Sequence, residues 1–245
     1  KQALQTFRPS NTSIVVVNGG SLASMQTTYG SAINEPSKTI KWFVGRNAYI
    51  SGAIHCGTTV AYETNVQVVN TNFELNITGG RVGSVYGASR GVNTTSKGER
   101  TINIIGSGNT TKGEYDPEIS NVFGGAEQCK FYGNTHVTLL NSHLVTNVYG
   151  GGDAYTATTY GNITVDVINS TIKGDLYGGG KNANSEIDNT TNKGGDVVIN
   201  IDNSSVNGNI FGSGMGMTQT MTITDNYYTF TKDSSDCPGC ESWLS

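Results

Sequence analysis

The sequence predicts an all-β solenoid, and three observations predict it. A block of 21 residues returns twice without insertion or deletion, as 133–153, 161–181 and 195–215. Inside each block apolar residues alternate with period two: Val137 and Leu139, Val165 and Val167, Ile199 and Ile201. Each alternation runs into an Asn-Ser pair and then an apolar-aromatic-glycine step, Val148-Tyr149-Gly150, Leu176-Tyr177-Gly178 and Ile210-Phe211-Gly212. A fixed block that alternates like a half-buried strand and then turns is one coil of a repeat array.

The block coils because a lone strand with one apolar face and no helical partner has to bury that face on copies of itself, about 4.8 Å per rung. Equivalent residues then lie over one another. Asn141, Asn169 and Asn203 are expected to form an internal amide ladder at a buried corner, satisfying backbone groups there. Tyr149, Tyr177 and Phe211 are expected to stack beside it. Single apolar residues, Leu144, Ile172 and Val206, fall at one place in all three blocks. An Asn-bearing turn, short strands and stacked aromatics together resemble the right-handed parallel β-helix of pectate-lyase-like proteins.

In chain order, residues 1–60 are the least regular and read as an N-terminal cap or degenerate first coils. They hold two apolar runs around Val15 and Trp42. An open solenoid end exposes strand edges and core, so a cap is expected there. Residues 61–225 read as the β-helix. Phe73, Leu75 and Ile77 open a coil closed by Val85-Tyr86-Gly87, and Ile102 and Ile104 open one closed by Phe123. Extra residues in that coil predict a loop within 108–119. With 156–160 and 181–193 it forms a looped edge, the expected contact surface. Residues 226–245 read as a C-terminal cap or tail.

Bulk properties narrow the function class. Gly is 33 of 245 residues and charged residues are 14%, which argues against long helices or coiled coils. The net charge is −4 and the 15 basic residues form no run, so nucleic acid is not an expected partner. No apolar stretch approaches the length of a transmembrane segment.

Few constellations carry chemistry. Cys237 and Cys240 enclose Pro-Gly near the C-terminus without the strand and helix of a redox unit, so a local disulfide or idle thiols are expected ahead of a metal half-site. Glu127 and Asp153 each stand four residues after a coil aromatic and become neighbours about 5 Å apart if the rungs stack. Such a pair could bind calcium or serve as acid and nucleophile on a sugar. Apart from that pair no cofactor or metal is expected. His55, His136 and His143 belong to no metal or nucleophile motif. The sequons at Asn93, Asn109 and Asn189 lie in expected loops and are the candidate glycosylation sites, whereas those at Asn169 and Asn203 fall on the expected inner ladder.

Asn-, Thr- and Gly-rich coils with a valine-tyrosine-glycine-glycine-glycine step are similar to the β-helical repeats of microbial adhesin-like surface proteins. That resemblance implies a non-enzymatic extracellular or cell-surface module, structural or adhesive, with host or microbial surface glycans or proteins as partners and end-to-end self-association as a further mode. The alternative is a polysaccharide lyase or glycoside hydrolase on the same scaffold, with Glu127 and Asp153 as its carboxylates.

Overall fold

The computed structural model describes residues 4–9, 13–27, 33–59, 67–108, 116–192 and 194–215, together with the backbone of strands Gln219–Thr224 and Tyr227–Lys232. Among the described residues the chain is all-β, without a helix. It visits three stacks of strands in turn, and every pairing within them is parallel and largely in register. The central stack carries the alternating strands: Arg100–Ile105 pairs with Thr135–Leu140, Thr135–Leu140 with Ile163–Ile168, and that with Val197–Asp202. A second stack carries the aromatic steps, running Arg81–Tyr86, Glu118–Phe123, Val145–Tyr149, Leu176–Tyr177 and Ile210–Phe211. The remaining stack is built of short strands, Thr94–Lys97, Lys130–Tyr132, Thr158–Tyr160 and Asn184–Glu186.

Parallel register turns the alternation into apolar columns. One runs Trp42, Leu75, Ile102, Val137, Val165, Ile199, and beside it run Val44, Ile77, Ile104, Leu139, Val167, Ile201. The second stack adds Ile54, Val85, Val122, Val148, Leu176, Ile210. Members of these columns away from the last rung are buried, and each such side chain withdrawn from water contributes about 1.5–3 kcal/mol.

Several expectations change in the structure. Within residues 1–60, Ile14–Leu22 and Ile33–His55 pair in parallel with each other, and Ile33–His55 pairs in parallel with the strands Gln67–Ile77 and Arg81–Tyr86 that follow. The loops expected at 156–160 and 181–193 contain Thr158–Tyr160 and Asn184–Glu186, members of the short-strand stack. Leu144, Ile172 and Val206 do not share one column, because Ile172 pairs with Val145 while Val148 pairs with Leu176. One extra residue on each of the two rungs compensates, so Tyr149 and Tyr177 return to register.

The 108–119 excursion is pinned at its base. Asp116 is buried and its carboxylate accepts hydrogen bonds from the Ser107 amide at 2.8 Å and the His143 amide at 3.0 Å. Much of that excursion, Asn109 included, lies outside the described residues, as do Cys237, Cys240 and the end of the 226–245 tail. The last two described strands, Gln219–Thr224 and Tyr227–Lys232, pair antiparallel and form a separate sheet.

Candidate functional site

Three lengthwise features shape the surface: a corner ladder, a ring column and a polar cleft at one end of that column. At the corner, Asn141, Asn169 and Asn203 share the left-handed conformation, with φ of 52°, 46° and 45°. Asparagine tolerates that region better than most L-residues because its short side chain bonds locally. The turn carries Asn169 and Asn203 outward, where they are exposed and joined by a 2.8 Å bond from Asn203 Nδ2 to Asn169 Oδ1. The expectation of a buried asparagine ladder is therefore corrected. The buried ladder is made by the serines that follow: the Ser142 amide donates to Ser170 Oγ at 3.0 Å, and the Ser170 amide to Ser204 Oγ at 2.9 Å. A hydroxyl both donates and accepts, so one small side chain serves two rungs. The sequons at Asn169 and Asn203 consequently lie on the surface, as do Asn93 and Asn189.

The ring column is longer than the three blocks suggested. His55, Tyr86, Phe123, Tyr149, Tyr177 and Phe211 stack face to face, with successive centroids 4.6–5.0 Å apart. Burial is the first cause that raises the phenol pKa values of Tyr149 and Tyr177, with neighbouring acidic groups adding to it. The glycine after each ring brings successive rungs close. A Cβ on Gly124 would sit 2.2 Å from the Gly150 carbonyl oxygen, and one on Gly150 2.3 Å from that of Gly178.

Where the column begins, at His55, an open polar cleft of ≈ 540 Å³ lies along the rungs. His55, Tyr86, Arg90 and Glu127 line it, and hydroxyls from Ser84 and Ser120 contribute to the wall. His55 Nε2 lies 2.6 Å from Glu127 Oε2, and Arg90 Nε 3.3 Å from Glu127 Oε1. The Tyr86 hydroxyl donates to Asp153 Oδ2 at 3.3 Å. His55 is buried and its Nδ1 has no hydrogen-bond partner.

Burial alone would raise the Glu127 pKa, but the His55 hydrogen bond, with the charges of His55 and Arg90, outweighs it and holds the carboxyl below 4.5. The ionised carboxylate thus stabilises the fold above about pH 4.5, and that contribution disappears as the pH falls through the lower folded-state value. Glu127→Gln is expected to flatten the acid limb of a pH–stability curve followed by circular dichroism. An unchanged acid limb would show that the contact contributes nothing.

Glu127 and Asp153, brought forward by the sequence as acid and nucleophile or as calcium ligands, are each engaged by other partners. One Glu127 oxygen faces the His55 ring and the other the Arg90 guanidinium, while Asp153 accepts from Tyr86 and from the Ala154 amide. Among the described residues no group of three or more His, Cys, Asp or Glu is placed to hold a metal ion. Of the other histidines, His136 Nε2 lies 2.5 Å from Asp166 Oδ2 on the outer face, and His143 Nδ1 3.3 Å from Thr171 Oγ1. Sequence reasoning missed His55. Its signal was the Ile54-His55 pair, which occupies the place held by Val85-Tyr86 one rung later.

Cys56 and Cys129 are free and fully buried, and burial pushes both thiols up to about 12. Neutral thiols therefore stabilise the fold below pH 9, a contribution lost as the pH rises toward 12. Native protein at pH 8 is expected to leave Cys56 and Cys129 unalkylated by iodoacetamide, with both modified once urea unfolds the chain. Peptide mapping reads this, and rapid native labelling of either would contradict their placement.

No helix among the described residues is long and apolar enough to cross a membrane. Compared with protein-family models, with curated proteins and with solved structures, the chain gives no significant match.

Proposed function

We propose that this chain is a non-enzymatic extracellular or cell-surface module, wound as a right-handed parallel β-helix, that acts as a rigid adhesive element and holds a surface glycan in the His55 cleft. The observation that supports this most is the cleft's wiring. Its central carboxylate is clamped between His55 and Arg90, an arrangement suited to accepting and donating hydrogen bonds with a polyhydroxylated ligand and poorly suited to shuttling a proton. Stacked rungs fix the lining residues, so little side-chain freedom is lost on binding.

A glycan array, followed by titration of the best ligand, tests the reading. Glu127→Gln and Arg90→Ala are each expected to weaken binding about tenfold, the loss of one charge-assisted hydrogen bond or roughly 1.4 kcal/mol. Absence of carbohydrate binding by the unmodified protein would overturn the glycan assignment, and a pull-down that also found no protein partner would overturn the adhesive one.

A second reading, a polysaccharide lyase or glycoside hydrolase, draws on one feature, the unpartnered His55 Nδ1 beside Glu127. Incubation with acidic polysaccharides, with and without Ca²⁺, decides it: chain cleavage abolished by His55→Ala would replace the adhesive reading, and intact polysaccharide would remove the enzymatic one.

A further inference from the structure

Below His55 the ring column is continued by an amide. Met25 pairs with Ile54 in parallel register, so the residues that follow them, Gln26 and His55, are neighbours along the stack, one rung or about 4.8 Å apart. Gln26 is only 3% exposed, yet its Nε2 has no hydrogen-bond partner among the described residues. Its carbonyl oxygen Oε1 accepts from the hydroxyl of Thr59. The backbone holds the two segments together, because the Thr27 amide donates to the Gly57 carbonyl at 2.9 Å. Gln26, His55, Thr59 and Glu127 all line the one cleft.

An alcohol beside a carboxamide reacts only when a base takes its proton. His55 is arranged to be that base. Its Nε2 lies 2.6 Å from the Glu127 carboxylate, which fixes the N–H on that nitrogen and leaves Nδ1 as the acceptor. Nδ1 is buried and unpartnered. Carboxylate, imidazole and hydroxyl thus take the three roles of a hydrolase triad, with the protein's own glutamine in the place of a substrate.

We propose that Thr59 and Gln26 become joined by an ester, formed by the folded chain itself with His55 as the base. Thr59 Oγ1 attacks Gln26 Cδ, and His55 Nδ1 takes the hydroxyl proton and hands it to the departing amide nitrogen. One C–O bond forms, one C–N bond breaks and ammonia leaves, so the step needs no oxidant or cofactor. Burial of Gln26 keeps water from the ester carbon. The bond fastens the first rung, where Ser24–Met25 meets the next at the Met25–Ile54 pair, against fraying of the end of the stack. It forms without any ligand and so stands apart from glycan binding in the same cleft.

Intact-mass spectrometry of the full chain, unfolded before measurement, tests the bond. The unmodified protein and Thr59→Ser are each expected about 17 Da below the mass of their sequence, the loss of one ammonia. Digestion is expected to leave the peptides holding residues 26 and 59 joined until mild alkali parts them. Thr59→Ala and Gln26→Ala are expected at full mass, as is His55→Ala once circular dichroism shows it folded. Should His55→Ala not fold, the two Thr59 variants carry the test. Full mass in the unmodified protein overturns the proposal. A loss that persists in Thr59→Ala also overturns it, because the ammonia then leaves from elsewhere, and an equal loss in folded His55→Ala overturns His55 as the base.

Discussion

Gly150→Ala is expected to cost the fold about 3 kcal/mol and to lower Tm by roughly 6–12 °C. The new Cβ would lie 2.3 Å from the Gly178 carbonyl oxygen and 2.4 Å from Ile163 Cγ2. Neither is the free end of a flexible side chain: one is backbone held in the ladder, and the other is a β-branched residue in a filled core. Relief therefore requires the two rungs to part, which stretches the hydrogen bond from the Gly150 amide to the Tyr177 carbonyl, 2.9 Å long. Gly20→Ala is the control. Its φ is +90° but an added Cβ meets nothing within 4 Å, so only the left-handed penalty of about 1–2 kcal/mol applies. Equal losses at the two positions, measured by thermal unfolding, would show that close rung approach is not what the glycine provides.

Arg100 gives the second large effect, and its sign depends on the replacement. Its side chain is fully buried between two rings, 5.2 Å from the Phe73 centroid and 5.0 Å from that of Phe131. Nη1 donates to the Thr71 carbonyl at 2.7 Å and to that of Glu99 at 3.0 Å, while Nε and Nη2 have no partner. Burial drives its pKa down to about 10, against the opposing influence of Cys56, Cys129 and Glu99. A charge so desolvated, with two donors unmet, is costly to hold. Arg100→Met keeps the volume between the rings without the charge and is expected to stabilise the protein by about 1–2 kcal/mol. Arg100→Ala leaves the space empty and is expected to destabilise it by about 3 kcal/mol. Urea midpoints separate the two; a methionine variant less stable than the parent would mean the cation–π sandwich outweighs the desolvation.

Much of this architecture could be read from the chain because one residue property repeats along one column. Val137, Val165 and Ile199 are apolar in sequence and stacked in space, and the rings of Tyr149, Tyr177 and Phe211 do the same. The short-strand stack stayed hidden for a physical reason. Three-residue strands such as Thr158–Tyr160 and Asn184–Glu186 are too brief for alternation to show, and their inward residues include Thr159, which needs no apolar side chain. At the corner, the repeated Asn-Ser pair was legible but its orientation was not. A left-handed Asn reverses which of two adjacent residues faces inward, and φ cannot be read from composition.

The site was legible only in pieces. Position four after each aromatic identified Glu127 and Asp153, yet the partners that define their chemistry come from other rungs. His55 lies 72 residues from Glu127 and Tyr86 lies 67 from Asp153. Such contacts follow from stacking register, so they emerge only once the number of residues in each turn is known.

The fold rests on parallel, in-register rungs, and a methyl- and amide-resolved NOESY of the intact chain measures that directly. The stacking predicts cross-rung contacts joining Val137 to Val165 and Val165 to Ile199, and separately Leu139 to Val167 and Val167 to Ile201. Contacts that instead joined Val137 to Val167 and Leu139 to Val165 would signal antiparallel neighbours and contradict it.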